Sequence, residues 1–310
     1  MALRLDPEYE AAVAGKDPAP APFRDVFELR NFLDPVLRDL FRARPTPEGV
    51  HETRIPFASH DGAEVQLHRF ATRAMVESAE RRAAVVYAHG GGFIKRMVAA
   101  AGMPFFAVDY RLAPEFSGGV AAEDVFHGLR HLSSHAAAWT VDAARIVLMG
   151  DSAGGGAAAG AALLARDWGL SPPLRRQVLV YPMLDDRTSL AEGSPMRPML
   201  RWTMNDSRLA WRAVLGEKAG RPEAGWVPLH AAPGRARARD LRGLPKTYVD
   251  VGSLDLFRDE CIDFVGKLAR ADVEVEFHVW PGLPHGFEGA TDIGWVKKAR
   301  EARNAALRRE

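Results

Sequence analysis

Cysteine is almost missing from this chain. Cys261 is the only one in 310 residues, which excludes an intrachain disulfide and fits a reducing compartment. Long apolar runs are missing too: no stretch approaches the ~18 to 20 residues of a membrane span. The opening MALRLDPEYEAAV holds no apolar core of signal-peptide length. The expectation is therefore a cytoplasmic protein without a membrane span. Neither charge is in excess, with 41 Lys and Arg against 40 Asp and Glu, whereas a general nucleic-acid binder would carry a basic surplus. Internal repeats and low-complexity segments are not found. What is present is 47% apolar and 26% charged residues, the content of a packed core.

Residues 1 to 48 read as helical. In FRDVFELRNFLDPVLRDLF, the apolar residues Phe23, Val26, Phe27, Leu33, Leu37, Leu40 and Phe41 recur at helical spacing. Asp34-Pro35 has the form of an N-cap followed by proline at the first helical position, which predicts two helices there. Strands His51–Ser59 and Ala63–Ala71 follow, joined by a hairpin-type HDG turn. Strands then alternate with helices, at Ala84–Ala88, Pro104–Val108, Ile146–Met149, Val178–Tyr181, Thr247–Val251 and Glu274–Val279. Most of these are near-continuous apolar runs, as strands buried on both faces must be. The pattern predicts an α/β fold whose eight-stranded, mostly parallel sheet carries helices on both faces. More than sixty residues separate Tyr181 from Thr247, with Trp202, Trp211 and Trp226 among them. A crossover needs about a dozen, so the excess reads as an insertion folded over the sheet.

Two motifs sit on strand ends. In RIVLMGDSAGGGAAAGAALL a strand enters the turn Gly150-Asp151-Ser152-Ala153-Gly154 and an alanine-rich helix leaves it. This is the setting in which G-x-S-x-G presents a nucleophilic serine. Gly150 and Gly154 leave room for the turn because neither has a Cβ. In VVYAHGGGFI, His89-Gly90-Gly91-Gly92 follows another strand. Successive glycines let backbone N–H groups approach a ligand oxygen, as an oxyanion hole requires; no lysine follows at phosphate-loop spacing. A nucleophilic serine needs a base and the base needs a carboxylate. His285 lies in a loop just past the last strand, whereas His278 is inside that strand. Asp255 likewise follows its strand, whereas Asp250 is inside one and Asp259 and Glu260 belong to the next helix.

HGGGF, VDYRLAPE, GDSAGG, DVGSLDLFRDE and PHGF together resemble the hormone-sensitive lipase family of α/β-hydrolase carboxylesterases, from about His51 to the C-terminus. The chain order Ser152, Asp255, His285 is that of α/β-hydrolases. The resemblance implies Ser152 as nucleophile, Asp255 as acid and His285 as base, with an oxyanion hole from the N–H groups of Gly91, Gly92 and Ala153. His89 would brace the glycine loop. It further implies cap helices over 1–48, a core over 49–182, a cap insertion over 183–240 and the rest of the core over 241–310, as one catalytic domain. Phe93, Trp202, Trp211 and Phe287 flank the motifs or lie in the cap and are candidates to line an acyl pocket. The expected activity is hydrolysis of short- to medium-chain acyl esters, with a small-molecule ester as substrate and no metal or organic cofactor. Amidases and acyltransferases use the same triad. The resemblance also reaches plant gibberellin receptors, which lack the catalytic histidine that His285 supplies here. Homodimers through a sheet edge occur in the family.

One segment departs from the family. Only FIKRMVAAAGMPFFA separates the glycine loop from VDYRLAPE, near the ~10 to 12 residue floor for a parallel crossover. This implies either a truncated first helix with an open pocket wall or a stretch missing from the sequence, the latter favoured by flanks that match on both sides. Elsewhere, His127, His131 and His135 fall on one helical stripe without the carboxylate of H-E-x-x-H, which reads as a solvated face. GRARARDLRG reads as a solvated loop, and Cys261 as a small buried hydrophobe.

Overall fold

The computed structural model describes residues 3–15, 22–42, 49–90, 98, 100–222, 227–290 and 292–309. Eight strands form one sheet: β1 (Val50–Ala58), β2 (Glu64–Thr72), β3 (Arg82–Ala88), β4 (Phe105–Val108), β5 (Val141–Asp151), β6 (Arg176–Val180), β7 (Lys246–Gly252) and β8 (Val275–Trp280). Their spatial order is β1-β2-β4-β3-β5-β6-β7-β8. β2 pairs antiparallel with both β1 and β4, and every other pairing is parallel. This is the eight-stranded, mostly parallel sheet expected from the strand–helix alternation. The helices are α1 (Pro7–Val13), α2 (Val26–Arg42), α3 (Arg73–Glu77), α4 (Val120–Ser134), α5 (Ala153–Asp167), α6 (Met204–Leu215), α7 (Arg258–Arg270) and α8 (Gly294–Arg308).

The central strands are buried throughout, as in β4 and β6, while β1 at one edge alternates toward solvent. Parallel strands bring their carboxyl ends to one edge, so the loops after β3, β5, β6, β7 and β8 meet there. A ligand site on such a sheet lies outside those ends. Helix α5 reaches that edge because alanine and glycine make it thin: every residue from Gly154 to Ala165 is buried.

Three expectations need correction. Helix α2 runs unbroken through Pro35. Its start is capped upstream, where Asp25 Oδ1 accepts from the N–H groups of Phe27 and Glu28, both at 2.9 Å. Asp34, Pro35 and Val36 face solvent, so water can serve the carbonyl that proline leaves without a donor. His127 is buried rather than solvated, packed edge-on against Phe126 and Trp168. Arg235, in the stretch expected to be a solvated loop, pairs with the buried Asp186 at 2.6 and 2.7 Å. That pair ties down the segment after β6. Glu260 on α7 does the same, accepting from Leu184 N at 2.6 Å and from the Thr188 hydroxyl. Within this segment α6 starts at a Thr203/Asp206 capping box and packs on α2, where Asn205 Nδ2 donates to Phe23 O at 2.8 Å. Trp226 lies outside the described residues.

Candidate active site

The turn after β5 holds Ser152 at φ 54° and ψ −121°, a backbone region that a non-glycine residue occupies at a cost of about 1–3 kcal/mol. Neighbours hold it there. Ser152 N donates to Val180 O at 2.9 Å, and Ser152 O accepts from Met183 N at 2.9 Å and Gly156 N at 3.1 Å. A Cβ on Gly150 would lie 2.2 Å from Gly154 O, and one on Gly154 would lie 2.2 Å from Ala88 O. The turn closes only with glycine at both positions. Asp151 is buried and accepts from the Tyr87 hydroxyl and, at 3.1 Å, from Gly90 N. It therefore joins the serine turn to the first glycine of the second motif.

The loops after β7 and β8 bring two further groups to the serine. His285 Nε2 lies 2.9 Å from Ser152 Oγ, and His285 Nδ1 lies 2.7 Å from Asp255 Oδ2. Asp255 is fully buried, with Oδ1 accepting from Phe257 N at 2.9 Å. A carboxylate at Nδ1 puts the proton on that nitrogen and leaves Nε2 a lone pair toward the hydroxyl. Tyr181 and Phe257 pack edge-on against the imidazole, with centroids at 4.7 and 5.0 Å, and Trp202 tilts over it at 6.3 Å.

Behind the imidazole is a buried charge hub that no sequence motif announces. Arg303 of α8 donates from Nε to Asp250 Oδ2 at 2.6 Å, from Nη2 to Asp250 Oδ1 at 3.1 Å, and from Nη1 to Glu288. Burial by itself disfavours the Arg303 charge, but the Asp250 and Glu288 carboxylates outweigh it and keep the guanidinium protonated. The Tyr181 hydroxyl donates to Glu288 Oε2 at 2.8 Å; burial, reinforced by that carboxylate, pushes its pKa up and keeps it a neutral phenol. Trp280 Nε1 and the Tyr248 hydroxyl complete Asp250 at 3.1 and 3.0 Å. The hub anchors the loop that carries His285 to α8. Its partners stand 15 and 53 residues apart, at no spacing a motif could encode.

His89 stacks on Tyr110 at 4.7 Å, and the Tyr110 hydroxyl donates to His89 O. Burial lowers the His89 pKa, so the ring packs as a neutral group. Gly91, Gly92, Phe93 and most of the short segment after them lie outside the described residues. Ala153 opens α5 beside the serine. Of the other candidates, Trp211 lines two cavities, whereas Trp202 and Phe287 line neither. Phe287 is fully buried against Tyr181 and Arg303; the loop turns its ring into the core behind His285. The larger cavity, of 690 Å³, is a polar cleft between Asp186–Ser189, α6 and Gly216–Arg221, and none of Ser152, Asp255 or His285 lines it. The smaller, of 230 Å³, reaches Ala153, Gly156 and Ala157 on the first turns of α5, next in sequence to the serine, although Ser152, Asp255 and His285 do not line it either. No cluster of three metal-binding side chains occurs among the described residues, and no helix among them is long and apolar enough to cross a membrane.

Residues 85–289 match the family model described as alpha/beta hydrolase fold. Among curated proteins the chain is 37% identical to "Esterase LipI" of Mycobacterium tuberculosis over 72% of this chain and 70% of that one. It is 35% identical to "Carboxylesterase NlhH" of the same species, over 66% of each. Among solved structures it superposes on a "Bacterial Heroin Esterase" with a TM-score of 0.86 and 31% identity, covering 98% of this chain and 97% of that one.

Proposed function

Because the chain belongs to the α/β-hydrolase family, on its hormone-sensitive-lipase-like branch, and is a carboxylic ester hydrolase, we propose that Ser152, His285 and Asp255 carry the reaction as an acyl-transfer triad. The Ser152 hydroxyl attacks the ester carbonyl while His285 Nε2 takes its proton. Asp255 holds the imidazole and stabilises the imidazolium. Negative charge develops on the carbonyl oxygen, where the N–H groups of Ala153, Gly91 and Gly92 receive it; one such donor is worth ~10² to 10³ in rate. The tetrahedral intermediate collapses, His285 returns the proton to the departing alcohol, and an acyl-enzyme remains. Water, deprotonated by His285, attacks that acyl-enzyme, and the acid leaves as Ser152 recovers its proton. The cycle as written uses no cofactor.

The observation that carries this reading is the unbroken chain from Ser152 Oγ through His285 to Asp255 at 2.9 and 2.7 Å. Helix α2 and the segment 183–240 act as the cap, and the 230 Å³ cavity beneath them favours short and medium acyl chains. The test is hydrolysis of p-nitrophenyl esters from acetate to palmitate by the wild type and by Ser152→Ala. Activity should peak at short or medium chains and fall by about 10⁵ or more in the variant. Full activity in Ser152→Ala would overturn the mechanism.

A further inference from the structure

Among the described residues, four that are not glycine have positive φ: Thr140, Ser152, Tyr181 and Asp272. Thr140 closes the short 3-10 helix Ala136–Trp139, and Asp272 follows the end of α7; a left-handed residue commonly ends a helix in this way. Ser152 is the proposed nucleophile. Tyr181, at φ 33°, ends no helix. It directly follows β6, where an extended conformation is the cheaper one, and a bulky side chain at positive φ is an unfavourable outlier. Such strain persists only where the surroundings over-determine it, and it gathers at sites where position matters.

The bend lets one short segment hold the serine twice. Val180 O accepts from Ser152 N, and Met183 N donates to Ser152 O, both at 2.9 Å. In an extended chain three residues span about 10 Å, yet Val180 and Met183 bond the same residue. The chain must therefore turn between them, and Tyr181 is where φ changes sign. The turn is pinned on its far side, where Tyr181 N donates to Asp250 O at 2.6 Å. Pro182 then lies so close to α5 that a Cβ on Gly155 would come within 2.8 Å of its ring.

The side chain of the same residue grips the base. Its ring packs edge-on against the His285 imidazole at 4.7 Å. Its hydroxyl donates at 2.8 Å to Glu288, three residues beyond His285 in the same loop. Arg303, which pairs with Glu288, also lies over the Tyr181 ring at 5.5 Å. The side chain is buried, so ring and hydroxyl are both held by protein. Phe257 touches the imidazole as well, but its N–H serves Asp255. Of the three aromatic residues around the imidazole, Tyr181 is the one flanked by the groups that hold Ser152.

Resting on the triad reading above, we propose that Tyr181 is a positioning residue that sets Ser152 and His285 against each other. Its bend fixes the serine backbone, and its ring and hydroxyl fix the imidazole. The test measures kcat and KM for p-nitrophenyl butyrate in the wild type, Tyr181→Phe and Tyr181→Leu. Active sites are counted with diethyl p-nitrophenyl phosphate, which phosphorylates Ser152 and releases one p-nitrophenolate per competent molecule, so unfolded protein does not enter kcat. A misplacement of ~1 Å costs about 10² in rate. In Tyr181→Leu, kcat per site should therefore fall by about 10², with KM changed by less than about threefold. The rate of Ser152 phosphorylation should fall in step, because that attack needs the same alignment. Tyr181→Phe keeps the ring and loses one neutral hydrogen bond, so it should stay within about tenfold of wild type. If Tyr181→Leu does not fold, Tyr181→Met, whose flexible side chain fills irregular space, carries the same expectation. A wild-type kcat per site in the Leu or Met variant, whatever its Tm, overturns this proposal alone and leaves Tyr181 a structural residue. Equal losses in Tyr181→Phe and Tyr181→Leu overturn it as well, since the ring is then not what holds the imidazole. Failure of the wild type to hydrolyse the ester, or full activity in Ser152→Ala, would overturn the triad reading and this proposal with it.

Discussion

The floor of the site and its cover are built by different rules. On the floor, Asp255 is fully buried and Arg303 bridges two buried carboxylates. Tyr181 and Phe257 clamp the imidazole. In the cover, α2 buries Leu29 but leaves Phe27, Phe32 and Val36 about half exposed. It is fastened by the bidentate pair of Arg30 with Glu115 at 2.7 and 2.9 Å, which water reaches. Buried charge pairs are costly to break, whereas exposed ones contribute little. Position is therefore enforced tightly around the proposed triad and loosely in the segment that covers it.

Substitutions on the floor should be severe and those on the cover mild. After Ser152→Ala, the largest expected loss is in Asp255→Asn, which keeps the shape but reverses the tautomer preference of His285. kcat should fall by about 10⁴ with the fold intact by circular dichroism. Next comes Arg303→Met, which strands Asp250 and Glu288 as buried uncompensated charges. A loss of about 3–5 kcal/mol is expected, seen as a Tm lowered by roughly 5–8 °C, together with a drop in kcat larger than any change in KM as the His285 loop loosens. A Tm within a degree or two of wild type would erase the contrast between floor and cover.

The smallest effect belongs to the Arg30–Glu115 tie. The Arg30 guanidinium holds the Glu115 pKa down to about 2, from an ordinary 4.5. The tie is complete above pH 4.5 and is lost as the pH falls through 2. Glu115→Gln at pH 7 should raise amide exchange in α2 by no more than about fivefold. At pH 2, where the wild-type carboxyl is half protonated, the same variant should cause a smaller increase than at pH 7. Exchange unaffected at pH 7 would show that the pair does not fasten the helix.

What could be read along the chain was what local rules encode. The first two strands announce themselves by the hairpin turn between them and most of the others as apolar runs, and the serine turn needs only Gly150 and Gly154 on either side of a strand–helix junction. Ser152, Asp255 and His285 could be picked because each stands just past a strand end, and the structure brings them within hydrogen-bond distance. The rest depends on pairings across space. Arg303 is one of three arginines in α8, and nothing in that helix marks it as the partner of Asp250. Pro35 looked like a helix start because proline is common there, yet the cap had already been supplied by Asp25. Arg235 and His127 read as solvated in the sequence because charged and imidazole groups usually are. Asp186 and the Trp168 ring, which bury them, lie far off in sequence.

The solitary Cys261 has a practical consequence. It is fully buried, its thiol is directed at Pro182 O at 3.7 Å, and burial pushes its pKa up, so it resists alkylating reagents while the protein is folded. The native chain is thus already prepared for site-selective labelling. A single cysteine introduced at exposed Val36 would be the one reactive thiol among the described residues, and a fluorophore there would report how the cover moves during turnover with no native residue removed from the core.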